Sequence, residues 1–338
     1  MKEAMLYDKL SEQRVRCRLC EWRCEIQEGK TGFCRVRRNH NGRLYTLVYG
    51  RTIARHADPI EKKPLYHFHP GSRALSIATA GCNFRCQWCQ NCEISQNPTE
   101  LHLGHGRKGT PQELAAEALS QNCRSIAYTY TEPTIFFEYS FDTAVEARRN
   151  GLANVYVTNG YMTPEMLAQM TPLLDAAAVD LKAFRDSTYK KYTGARLDPV
   201  LNSLKQMKKD GVWVEVITLV VPGVNDDFDE LREIARFIRD ALGAGTPWHL
   251  SRFMPAHRMD GTGPTPPATL MRSRDIAREE GLNFVYPGNL GGASNTHCQG
   301  CQKLLVERAG HAPPTLHTTT EGTCPSCQTR LPGVGMQG

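Results

Sequence analysis

Thirteen cysteines fall into three sets of four, with one left over: Cys17, Cys20, Cys24 and Cys34; Cys82, Cys86, Cys89 and Cys92; Cys298, Cys301, Cys324 and Cys327; and Cys123 alone. Thiols grouped this tightly, in a chain whose first thirty residues have no continuous apolar core, argue for metal ligation over a disulfide framework. Cys82-Asn83-Phe84-Arg85-Cys86-Gln87-Trp88-Cys89 is a CxxxCxxC pattern and the strongest signal. Three thiolates on one loop can hold three irons of a [4Fe–4S] cubane and leave the fourth open to a chelating ligand. That vacancy suits reductive cleavage of S-adenosylmethionine (SAM), whose amino and carboxylate groups can chelate iron while its sulfonium accepts an electron. A fourth thiolate from Cys92 would close the vacancy. Cys92 is therefore read as a buried or neighbouring thiol, with a four-thiolate electron-transfer cluster or a zinc site as the rival reading.

The outer sets carry different chemistry. Cys298-x-x-Cys301 and Cys324-x-x-Cys327 are two CxxC knuckles whose spacing fits a tetrahedral Zn²⁺ ribbon, with a rubredoxin-like iron as second choice. Gln302 and Gln328 stand where such knuckles often have Gly, which weakens the turn signal. The irregular Cys17, Cys20, Cys24, Cys34 spacing, with Gly29 and Gly32 in its long loop, fits zinc or an auxiliary iron–sulfur cluster equally. Such a cluster could relay electrons or anchor substrate. Cys123 reads as core, and His67 and His69 as structural.

These residues need a scaffold. Between about residues 74 and 287 short apolar runs alternate with helical patterns, as in parallel strands joined by crossover helices. The predicted strands are Ala74–Ala80, Ser125–Thr131, Val155–Thr158, Ala178–Leu181, Val212–Val221, His249–Phe253 and Asn283–Val285. Thr110-Pro111-Gln112-Glu113 and Thr163-Pro164-Glu165 place a hydroxyl at a helix N-cap with Pro at the first helical position. Gly151, Gly211 and Gly281 read as left-handed helix ends. The predicted fold class is α/β, a partial open (β/α)6-type barrel over residues 66–290, flanked by cysteine-rich modules at 1–65 and 291–338.

On such a scaffold chemistry belongs at the carboxyl ends of the strands. Glu132 ends the second strand. Thr158-Asn159-Gly160 ends the third, where short polar side chains favour a ribose or carboxylate contact. Asp180 and Lys182 end the fourth, on one face by strand alternation, with Leu181 on the other. Arg252 and His257 follow the sixth and could contact SAM or substrate.

The CxxxCxxC motif, with an aromatic residue before its last Cys and Gln-Asn after it, resembles the radical SAM superfamily. The segments KKPLYHFHPGS, YTYTEPTIFFEY, YVTNGYMTPE, VDLKAF, VWVEVITLVVPGVND and PWHLSRFMP, with the paired C-terminal cysteines, resemble the radical SAM enzymes of the AmmeMemoRadiSam system. That group is in turn similar to the pyruvate formate-lyase activating enzymes. The resemblance implies that Cys82, Cys86 and Cys89 hold a catalytic [4Fe–4S] cluster. It further implies that Trp88, Glu132, Thr158, Asn159, Asp180, Lys182 and Arg252 bind SAM. Glu132, or backbone carbonyls beside it, would take the methionyl ammonium, and Lys182 would lie near the carboxylate. Here Thr-Glu replaces the superfamily's glycines before the glutamate. The implied chemistry is hydrogen abstraction by a 5′-deoxyadenosyl radical, with a flavodoxin- or ferredoxin-like reductant, a protein as substrate, and Amme-type and Memo-type proteins in the same pathway.

Composition sets outer bounds. The 338 residues carry a net charge of +6 that is spread along the chain, so nucleic acid is not an expected partner. No apolar stretch reaches membrane-spanning length, and a cytoplasmic location is expected. Radical modification of a peptide, RNA or small molecule is the alternative enzymatic reading. A zinc-ribbon binding or scaffold protein with an inert barrel is the alternative of another class.

Overall fold

The computed structural model describes residues 1–96, 98, 106–291, 294–309 and 312–338. Its centre is one eight-stranded sheet whose spatial order follows the chain. The strands are β1 (Ala54–Pro59), β2 (Arg73–Ala78), β3 (Cys123–Tyr128), β4 (Ala153–Thr158), β5 (Ala176–Asp180), β6 (Trp213–Val220), β7 (Trp248–Arg252) and β8 (Val285–Gly288). All neighbours from β2 to β8 pair in parallel, and β1 runs antiparallel along β2. The sheet ends at β1 and β8, so the barrel is open. Near-continuous apolar runs such as Ala176-Ala177-Ala178-Val179 belong in strands covered on both faces.

Among the described residues seven helices cover the sheet: α1 (Pro111–Ser120), α2 (Phe137–Arg149), α3 (Pro164–Met170), α4 (Asp186–Thr193), α5 (Leu197–Lys209), α6 (Phe228–Phe237) and α7 (Pro267–Glu279). Their predicted signals form. Thr110 Oγ1 accepts from Glu113 N at 3.2 Å while Glu113 Oε2 accepts from Thr110 N at 2.7 Å, a complete capping box on α1. Thr163 Oγ1 accepts from Met166 N on α3. Gly151 and Gly211 have φ of 71° and 83°, the left-handed conformation that lets the chain turn back into a strand.

All seven expected strands are present, most with ends moved by one to three residues. The last differs more, sharing only Val285 with the expected segment. The missed strand is β1. Ala54-Arg55-His56-Ala57-Asp58-Pro59 has no regular apolar alternation because it is an edge strand, and Pro59 is tolerated where an edge needs no donor.

Two flanking modules grip the barrel. The first contains two small antiparallel sheets and is tied to α2 by a buried bidentate pair, Arg37 Nη1 to Glu138 Oε2 at 2.7 Å and Nη2 to Oε1 at 2.8 Å. At the amino ends of the strands, Glu215 of β6 accepts from Tyr66 N, His67 N and His249 Nε2. His67 continues the chain of contacts into the C-terminal module, with Nδ1 donating to Pro332 O at 2.7 Å and Nε2 accepting from Tyr286 O–H at 2.6 Å. The structural place expected for His67 is the one it occupies. Among the described residues no helix is long and apolar enough to cross a membrane.

Candidate active site

The loop after β2 is fastened from several sides before any ligand is considered. Gly81 has φ of 96°, and a Cβ there would stand 2.7 Å from Val36 Cγ1 and 3.0 Å from Cys34 O, so only Gly lets the loop lie against the N-terminal module. Trp22 Nε1 donates to Asn83 O at 2.7 Å. Arg85 N and Gln87 N donate to Thr193 O and Tyr192 O at 2.8 and 2.9 Å, and Gln96 Nε2 donates to Cys86 O at 2.7 Å. A loop held this way presents its side chains with little freedom left to lose on binding.

Cys82, Cys86 and Cys89 are half-buried and line one cavity at the carboxyl ends of the strands. It holds about 1270 Å³ free of protein atoms, counting its open mouth. Trp88, Glu132, Thr158, Asn159, Asp180 and Lys182 line the same cavity. Cys92 does not; it begins a single helical turn, Cys92–Ser95. Arg252 lies off the lining, its Nε donating to Thr265 O at 2.8 Å, and Ser251 reaches the cavity in its place. His257 is also off the lining, in a left-handed conformation with φ of 53° and a buried Nε2 without a partner among the described residues.

Glu132 is 2% exposed, and its contacts come from neutral donors. Oε1 accepts from Thr134 N at 3.1 Å, Thr134 Oγ1 at 2.6 Å and Thr158 Oγ1 at 2.7 Å, and Oε2 accepts from Asn159 N at 2.8 Å. Burial raises its carboxyl above the usual range, against the pull of these bonds. The carboxylate thus ties β3 to β4, and most of its acceptor capacity is already engaged. Thr158 and Asn159 are also engaged within the protein. Asn159 Nδ2 donates to Asn83 Oδ1 at 2.8 Å, which carries the network to the residue after Cys82. Thr158 and Asn159, which line the cavity, thus also form a brace between Glu132 and the cysteine loop.

Lys182 and Asp180 pair at 2.8 Å, so the internal ion pair and the placement in the cavity both hold. Burial alone would lower the lysine, but the Asp180 carboxylate outweighs it and holds Lys182 protonated. Burial pushes the Cys86 thiol up to about 12 and raises Cys82 also, so thiolates here need a cation as partner. Trp88 is 3% exposed, and its buried indole Nε1–H has no hydrogen-bond partner among the described residues. A buried donor left free on a cavity wall fits a polar ligand group in that cavity.

Sequence reasoning missed one corner. Asp58 on β1 accepts from Lys62 Nζ and Lys63 Nζ at 2.8 Å each and from the Tyr130 hydroxyl, and Lys62, Lys63 and Tyr130 all line the cavity. Tyr130 sits at φ of 64°, a strained backbone for a bulky residue and common near ligand sites. The Lys-Lys pair was visible in the sequence, but the edge strand that gathers it was not.

The outer cysteine sets differ in geometry. Among the described residues, Cys298, Cys301, Cys324 and Cys327 are the one set of three or more potential ligands whose donor atoms all lie within 4.8 Å of one another. Cys298 Sγ to Cys327 Sγ and Cys301 Sγ to Cys324 Sγ are each 3.5 Å. Four thiolates around one Zn²⁺ at about 2.3 Å would stand about 3.8 Å apart, so the set can hold a single metal ion. The two knuckles are built alike, with Gln302 N donating to Cys298 O and Gln328 N to Cys324 O, each at 2.9 Å. Gln302 and Gln328 take φ of 61° and 59°, so the turns form without the glycines. Cys17, Cys20, Cys24 and Cys34 instead surround a small apolar cavity.

Comparison with known proteins agrees with this fold. The chain is 48% identical over 310 residues to an uncharacterized protein of Methanocaldococcus jannaschii, covering 91% of this chain and 92% of that one. It is 27% identical over 222 residues to the isethionate sulfite-lyase activating enzyme of Nitratidesulfovibrio vulgaris, covering 59% of this chain and 72% of the relative. A radical SAM methyltransferase structure from Sphaerobacter thermophilus shares the fold, with a TM-score of 0.51 at 17% identity over 70% of this chain and 71% of that one. Residues 76–238, which run from β2 through α6 and include all three motif cysteines, match the Radical SAM superfamily, so this part of the chain is a radical SAM domain.

Proposed function

We propose that Cys82, Cys86 and Cys89 bind a [4Fe–4S] cluster with one open iron, and that the chain uses it to activate a partner protein by hydrogen abstraction. The observation that carries this reading is the shared cavity. Three motif thiols face it together with an ammonium and an indole donor that has no partner among the described residues, while the fourth thiol of the run, Cys92, lies outside. Held by Cys82, Cys86 and Cys89, such a cluster would supply, once reduced, the electron that divides SAM into methionine and a 5′-deoxyadenosyl radical.

The chain's own residues bind and orient. Lys182 is placed to meet the SAM carboxylate with charge assistance. Trp88 Nε1 supplies a neutral donor. Glu132, whose bonds among the described residues come from neutral donors, offers negative potential that favours the methionyl ammonium beside it. Thr158 and Asn159 act as positioning residues, transmitting the fixed place of Glu132 to the cysteine loop. The walls of β4 and β6, with Val157, Ile217 and Leu219, keep bulk water from the reacting end. A protein substrate is supported by the similarity to an enzyme that activates isethionate sulfite-lyase. In the C-terminal module, zinc is our assignment for the four-thiol set.

The test is anaerobic reconstitution with iron and sulfide, electron paramagnetic resonance (EPR) with and without SAM, and detection of 5′-deoxyadenosine. Deuterium passing from a candidate partner into 5′-deoxyadenosine would identify the substrate. A cluster whose spectrum ignores SAM would sink the reading.

A further inference from the structure

We infer that Cys17, Cys20, Cys24 and Cys34 hold a second iron–sulfur cluster, which passes electrons to the cluster site at Cys82, Cys86 and Cys89. The assignment of the site itself rests on the N-terminal module alone; the electron transfer rests on the function proposed above.

Four observations support a cluster over a single ion. All four thiols line one cavity, with Leu19, Ile26 and Ile135 among its walls. They are not drawn together as the C-terminal four are, although the same chain brings that other set within 4.8 Å. A body of several irons needs its ligands further apart than one tetrahedral ion does. Arg37 also lines the cavity, is 1% exposed, and keeps a buried Nε–H with no partner among the described residues. Its Nη groups are committed to Glu138, which leaves that one donor for an anionic cluster. Phe33 N also approaches Cys24 Sγ at 3.5 Å, the kind of amide-to-sulfur contact that tunes such clusters.

The two sites touch through one side chain. Arg85 Nη2 donates to the carbonyl of Phe33, the residue before Cys34, and Arg85 Nη1 donates to Cys82 O at 2.9 Å. Gly81, beside Cys82, packs on Cys34 O. Cys24 is half-buried while the other three thiols are buried, so one corner faces outward, where a flavodoxin- or ferredoxin-type donor can approach. One electron reduces the N-terminal cluster, which is reoxidised as it reduces the other by one. No atoms move between them.

The full chain carrying Cys82→Ala, Cys86→Ala and Cys89→Ala should still take up iron and sulfide in equal amounts after anaerobic reconstitution. Its reduced cluster should give an EPR signal unaffected by SAM. Adding Cys20→Ala and Cys34→Ala should remove that iron, with circular dichroism and the C-terminal metal as controls for folding. A folded triple variant that binds zinc, or no iron, at the N-terminal set overturns the assignment. With both clusters of the unaltered chain reduced, the spectrum should be broader than the sum of the two single-cluster variants. A simple sum overturns the adjacency. The chain carrying only Cys20→Ala and Cys34→Ala should be reduced by flavodoxin hydroquinone at least tenfold more slowly at its remaining cluster, and an unchanged rate overturns the relay. Failure of the unaltered chain to cleave SAM would reject the proposed function and leave the triple-variant result intact.

Discussion

Lys182 Nζ lies 2.8 Å from Asp180 Oδ2 at the end of β5, and both side chains face the cavity lined by Cys86. An ammonium held by one carboxylate still has two donors for another. Lys182→Met keeps the aliphatic stem and removes those donors. A lost charge-assisted bond of about 1.5–3 kcal/mol predicts a rise in the SAM Kd of roughly ten- to a hundredfold, with cluster content unchanged. Titrating the EPR signal with SAM measures it. A change under about threefold would remove Lys182 from the ligand contacts.

Trp88 offers a cleaner separation of binding from folding. Because its Nε1–H has no partner among the described residues, Trp88→Phe removes no hydrogen bond seen in them. The ring stays packed among Val221, Phe253 and Met259. Thermal stability should therefore hold or rise slightly, while SAM affinity falls by about 1 kcal/mol, roughly fivefold. Equal loss of both would mark the indole as a packing residue only.

The scaffold was legible because its signals are local. Runs such as Val155–Thr158 and the Thr110–Glu113 box fix strand and helix within a few residues of chain. What could not be read is contact across crossovers. Glu132 reads as a ligand for an ammonium, yet its bonds come from Thr134, Thr158 and Asn159, and the last two lie 26 and 27 residues away. Arg37 meets Glu138 across 101 residues, with nothing in either neighbourhood to announce it. Asp58 sits on an edge strand whose half-exposed residues show no period. The cysteine loop is the exception, since its spacing is itself the chemical signal.

Cys86 and Cys92 should separate sharply. Cys86→Ala removes a thiol that lines the cavity and should abolish the cluster signal and 5′-deoxyadenosine formation together. Cys92→Ala alters a half-buried residue at the start of a single turn and should retain both within about twofold, as a change remote from ligand usually does. Metal analysis and product quantitation on the two variants decide the matter. Loss of cleavage in the Cys92 variant would mean that the open iron has been misassigned.

The junction with the C-terminal module should be acid-labile through His67. Its ring is neutral in the fold: Nδ1 must carry the proton given to Pro332 O, and Nε2 must be free to accept from Tyr286. Burial lowers its pKa to about 4, against the nearby Glu215, with Arg308 and His249 acting in the same sense as burial. Unfolded, the same group titrates near 6.5. Between those values the unfolded chain binds more protons than the folded one, so stability rises with pH there. The contribution is complete above about 6.5 and is lost as pH falls toward 4, on the order of 3 kcal/mol in all. Glu215, whose own pKa is lowered by its bond with His249 despite burial, adds a loss in the same direction at lower pH. His67→Gln isolates the histidine, because an amide can donate to Pro332 O and accept from Tyr286 without titrating. Melting the unaltered chain and this variant at pH 7 and pH 4.5 should show a smaller acid-induced drop in the variant. Parallel curves for the two would refute the role of His67.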